Sequence, residues 1–183
     1  MEISYRDAVT LLHGMGLGAF FMLAFAGAMG AVGAATAGPT AGAGRLLRLC
    51  LIAMAGLAWL TVLTGTYIVY PWYRAKAPPG AELGLYPRQL LLSSPTTAGW
   101  HTLGMEWKEH VAWFAPMAVT MAAYVLIRYG PRLGARRELR GGVIAFTAAA
   151  FLATSVAGAF GALLNKYAPV RGGPEIVLVQ AHK

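Results

Sequence analysis

"WHTLGMEWKEHVAWFAPMAVTMAAYVLI", residues 100–127, changes character near its midpoint. Residues 100–110 carry two histidines, two glutamates, a lysine and two tryptophans, whereas 111–127 contain no charged residue. An apolar run of that length approaches the ~20 residues that cross a bilayer as a helix. The rest of the chain follows the same pattern. Of its 183 residues 57% are hydrophobic and only 12% charged, about half the charged fraction of a soluble domain. These numbers define an all-α integral membrane protein, a four-transmembrane-helix bundle forming one membrane domain over residues 1–183.

The hydropathy places spans at 9–37, 46–70, 104–128 and 142–164. Gly38-Pro39 closes the first and Pro71 the second. The third has two candidate starts, because Ser94-Pro95 reads as an N-cap followed by proline at the first helical position. From Pro95 to Tyr129 a single rod is roughly 50 Å long, more than the ~30 Å hydrocarbon core. Trp100 and Trp107 then fall at the level of an interfacial aromatic belt, and Lys108 is able to snorkel outward. An extended outer segment, 71–103, joins helices 2 and 3, and 165–183 form a tail. Acidic Glu2 and Asp7 flank the first span, so it reads as a mature helix or an uncleaved anchor, not a cleaved signal peptide.

The net charge of +8 would suggest nucleic acid in a soluble chain. Here the arginines gather beside apolar spans: Arg45 and Arg48 in one loop, and Arg128, Arg132, Arg136, Arg137 and Arg140 in another. The positive-inside rule makes that side cytoplasmic and predicts no nucleic-acid partner. Both termini and the 71–110 connection then face outward from a bacterial-type inner (plasma) membrane.

Within such a bundle the histidines are the residues that need explaining. His13 follows the first membrane entrance in "LLHGMGLGAFF", and His110 adjoins the apolar run of the third span. Ionisable residues at membrane depth are functional candidates by default. Spans one and three run in the same direction, so both imidazoles sit toward the outer leaflet. Two imidazoles on two helices of a bundle suit bis-axial ligation of haem b, since imidazole is a good iron ligand. Gly14, Gly16 and Gly18 remove bulk around His13, which a macrocycle or a close helix neighbour requires. His101 is the alternative ligand. Nine residues separate it from His110, about 180° around an α-helix, so the two cannot face one site. Glu106, four residues before His110, is placed for its carboxylate to orient that imidazole. Tyr70, Arg74 and Arg88 are candidates for the haem propionates, arginine for its bidentate grip on carboxylates. His182 near the C-terminus reads as solvated.

The single Cys50 excludes an internal disulfide and any cysteine-ligated cluster, and no C-x-x-C-H is present for covalent haem. Walker, G-x-S-x-G and H-E-x-x-H signatures are absent, so a stand-alone enzyme is disfavoured. The expected function is therefore a b-type cytochrome-like subunit of a respiratory or photosynthetic complex. It would transfer electrons between the quinone pool and an outer-side redox partner. Two alternatives stay open. One is a cofactor-free accessory subunit docking other membrane-complex subunits through the tail "GGPEIVLVQAHK", whose apolar run Ile176–Val179 is suited to a partner's sheet edge. The other is a copper or other metal site: copper held by His13 and Met15 together with His101 and Met105, or zinc or iron held in part by Glu106 and His110.

Overall fold

The structure is a computed structural model that describes residues 2–37, 41–130, 133 and 136–177. It is 84% helical, and four of its helices are long and apolar enough to cross a membrane, the pattern of a multi-pass membrane protein. These are Tyr5–Ala35, Ala41–Arg74, Pro95–Tyr129 and Arg137–Tyr167. Each neighbour in sequence is a neighbour in space, and the fourth span returns to the first, where Phe25 and Phe151 stack with ring centroids 3.9 Å apart.

The interior is built mainly from alanine, with Phe21, Leu51, Met54 and Val119 as its large buried members. Small residues let backbones approach where lipid supplies no hydrophobic drive for association. At Gly27 that approach is tight, since a Cβ there would lie 2.8 Å from the Cys50 Sγ. Leu12, Phe20, Leu23, Leu49, Leu60 and Leu152 point outward, each more than half exposed. An apolar exterior around a small-residue core reverses the soluble pattern and fits hydrocarbon as the surroundings.

The helices outrun the spans read from hydropathy. The first begins at Tyr5 because Ser4 caps it: its Oγ accepts from the Asp7 amide at 3.1 Å and donates to the Asp7 carboxylate at 2.7 Å. The second begins at Ala41 and passes Pro71 to end at Arg74. Pro71 is accommodated just after the widened turn Gly65–Val69, at the second residue of the resumed α-helical segment Tyr70–Arg74. The third begins at Pro95, as the Ser94 cap indicates, and not at 104; the Ser94 Oγ accepts from the Thr96 amide. The connection between spans two and three therefore shrinks from 71–103 to 75–94. It is partly helical, with a 3₁₀ turn at Leu83–Leu85 and a short helix at Pro87–Leu92.

The tail also departs from expectation. Strand β1 (Glu2–Ser4) pairs antiparallel with β2 (Glu175–Val177), so part of the apolar run finds a partner within its own chain. The amides of Tyr5 and Arg6, unclaimed within the first turn of the helix, donate to the carbonyls of Pro174 and Gly172 at 2.8 and 3.3 Å. Gly172 and Gly173 make the required bend with positive φ of 102° and 86°. Gly38-Pro39, Arg132 and residues 178–183, His182 included, lie outside the described residues.

Candidate functional site

Three of the four spans contain a widened, π-helical turn: Leu12–Gly16, Gly65–Val69 and Trp100–Met105. All three fall at the end of the bundle that carries the paired strands β1 and β2, and the fourth span, Arg137–Tyr167, has none. A π turn inserts an extra residue and re-aims the side chains around it, and such turns concentrate at functional sites. Here they hold His13, its contact Gly65, and His101.

His13 is buried, with 7% of its surface exposed, and its Nδ1 lies 2.9 Å from the Thr64 Oγ1. The Thr64 hydroxyl has one proton and donates it to the Leu60 carbonyl at 2.7 Å. With that proton on Leu60 the oxygen accepts from His13, an arrangement that puts the hydrogen on Nδ1 and leaves Nε2 its lone pair. Gly65 makes room for the ring: a Cβ there would sit 2.8 Å from Cε1 and 3.3 Å from Nε2. Among the described residues no hydrogen-bond donor occupies Nε2.

His101 is equally buried but differently engaged. The Arg88 Nε–H, which can only donate, points at Nε2 at 3.4 Å, while Nδ1–H donates to the Tyr73 Oη at 2.8 Å. Both nitrogens are taken. Tyr73 is 2% exposed and sits against Leu91, Met105 and Leu164.

His110 is exposed, and its Nδ1–H donates to a main-chain oxygen, the carbonyl of Glu106, at 2.7 Å. The expected carboxylate contact is replaced because the short imidazole reaches the carbonyl one turn back, while the Glu106 side chain is exposed. This again leaves Nε2 with a lone pair. His110 rides on a short helical piece, Glu106–Val111, bounded by the wide turn before it and a break in the helix at 112–113. The structure thus brings His101 together with Arg88 and Tyr73, and His13 together with Thr64 and Gly65. It brings neither into contact with His110.

The remaining polar groups gather at the same end. Arg74 donates to the Tyr70 hydroxyl and lies 5.3 Å from its ring centroid, and Tyr70 faces Glu109. Glu109 Oε1, Thr10 Oγ1 and Ser155 Oγ are buried without a hydrogen-bond partner among the described residues. Lys108 does not snorkel outward. Its Nζ reaches the fourth span, 3.2 Å from where a Cβ on Gly161 would be, and lies within electrostatic reach of His13. Trp100 stacks on Tyr167 at 5.7 Å and Trp107 packs on Phe160 at 5.6 Å, so both tryptophans make contacts between the third and fourth spans.

For a metal without haem the donors are scattered. Met15 is 70% exposed while His13 is buried, and no group of three histidine, cysteine or acidic side chains is gathered among the described residues. Thr64 and Gly65 are the contacts of His13 that sequence reasoning missed. The signal was present in "LTGTY", a polar and small interruption of an apolar span at the antiparallel level of His13. No family model, curated protein or solved structure matches the chain.

Proposed function

We propose that the protein is a membrane-integral b-type cytochrome-like subunit, with His13 and His110 as the axial ligands of one haem b. One observation carries this reading. His13 and His110 each commit Nδ1–H to an oxygen and leave Nε2 with its lone pair, whereas His101 has Arg88 on that nitrogen. A ligating histidine ordinarily donates its other N–H to an oxygen, which fixes both tautomer and ring orientation. Thr64 and the Glu106 carbonyl fill that role here. Gly65 supplies clearance beside His13, and the jointed piece Glu106–Val111 presents His110.

Bound haem supplies a one-electron couple whose potential follows from ligands and burial. The chain's own residues bind and orient it: Tyr70 and Arg74 form a polar edge suited to propionates, while Arg88 is held by His101. The partners in this reading are a quinone, an outer-side redox protein and other subunits of a membrane complex. The arginine-rich loops face the cytoplasm of a bacterial-type inner membrane, as the charge bias favours.

The reduced-minus-oxidised absorption spectrum of the purified chain tests this. A b-type signal is expected in the wild type and in His101→Ala, and its loss in His13→Ala and His110→Ala. Loss in His101→Ala with retention in His110→Ala reassigns the second ligand. A folded protein without haem that still co-purifies with other subunits supports the accessory-subunit reading instead. Copper retained without haem supports the metal-site alternative.

A further inference from the structure

At the end opposite the histidines, spans two and three open a cleft of about 350 Å³ lined by Ala41, Gly44, Arg45, Arg48, Leu126 and Gly130. Arg45 and Arg48 are three residues apart and share one helix face. Arg48 reaches across the cleft, its Nη2 lying 3.9 Å from where a Cβ on Gly130 would be, so the glycine leaves the floor open. Both arginines are exposed, and no carboxylate pairs with either among the described residues. Of the seven acidic residues, only Glu138 belongs to this end of the chain's course.

The face continues into the span as an apolar lane. Leu49 and Ile52 lie one turn beyond Arg45 and Arg48 and are 59% and 47% exposed, and Ile127 on the third span is 52% exposed. Two guanidiniums match phosphate oxygens in a way that a single ammonium does not. The ligand that satisfies both parts carries an anion at one end and a hydrocarbon chain at the other. Inorganic phosphate would leave the lane unused. A zwitterionic headgroup brings its own cation beside the arginines, where it is repelled.

We infer that this cleft binds the phosphodiester of an anionic phospholipid, with an acyl chain along Leu49 and Ile52. Basic pockets between transmembrane helices are the ordinary form of such sites.

The test uses the full-length protein in neutral detergent mixed with equal amounts of phosphatidylglycerol and phosphatidylcholine, with retained lipid counted by native mass spectrometry. Phosphatidylglycerol is expected to be retained preferentially. Arg45→Gln with Arg48→Gln is expected to weaken that retention roughly thirtyfold, from the loss of two charge contacts. Gly130→Leu, which fills the cleft and keeps both arginines, is expected to do the same and covers the case in which the double variant fails to fold. Arg128→Gln, whose guanidinium lies over the Tyr129 ring, is expected to change nothing. Equal retention of the two lipids, or unchanged retention in the variants, overturns the site. Displacement of the lipid by inorganic phosphate at constant ionic strength assigns the cleft to a soluble anion and overturns the lipid.

Discussion

In the middle of the bundle, Ala28, Ala58, Ala118 and Ala150 meet on regular α-helices, and the contacts there are made almost wholly by apolar side chains. At the end carrying the paired strands β1 and β2 the same helices widen in three of four spans. Their interior there holds His13, His101 and Tyr73, with buried oxygens of Thr10, Glu109 and Ser155 left without hydrogen-bond partners among the described residues. The first arrangement needs only close packing. The second costs helix regularity and polar desolvation, which a membrane bundle tolerates where the groups do something besides pack. The difference separates a region that needs only close packing from the one on which the haem proposal rests.

The sharpest way to break the comparison is to cut into each region and compare losses. Phe21→Ala removes the largest buried side chain of the middle, and a loss of about 3 kcal/mol is expected for unfolding in mixed detergent micelles, with any haem signal intact in the remaining folded protein. Gly65→Ala drives a methyl into the His13 ring, which Thr64 holds in place, and is expected to cost about 2 kcal/mol in the same assay. Here the haem signal is expected to fall with stability, because the obstructed atoms are Cε1 and Nε2 itself. If both variants change stability and spectrum alike, the two regions are not separate.

The four spans were legible because apolar runs bounded by arginines need no tertiary information. The Ser94 cap was legible too, and the third helix begins where that cap puts it. The widened turns were not. No residue type marks a π turn, and the α-helical phase between His101 and His110 does not hold once part of the intervening chain, Trp100–Met105, is wound more loosely. Thr64 was hidden for a related reason: a threonine in an apolar span bonds its own i−4 carbonyl by default, as it does to Leu60, and only the fold shows that its oxygen also faces His13. The pairing of the tail with β1 depends on a contact across the whole chain, which local pattern does not encode.

Two smaller effects sharpen the contrast. Thr64→Val keeps shape and removes the acceptor for His13 Nδ1–H, so about 1 kcal/mol of stability is expected to be lost, with haem retention about tenfold weaker. A spectral loss no larger than the stability loss would show that Thr64 merely packs. Gly56→Ala lies on the same span as Gly65 but meets nothing within 4 Å, so it is expected to be stabilising by about 0.5 kcal/mol through helix propensity, with the spectrum unchanged.

The most direct test of the central claim is electron paramagnetic resonance of the oxidised, purified protein alongside haem quantification. The account predicts one haem b per chain with a low-spin signal from two imidazoles, turning high-spin or disappearing in His13→Ala and unchanged in His101→Ala. A folded chain that takes up no haem, or a low-spin signal that survives His13→Ala, would contradict it.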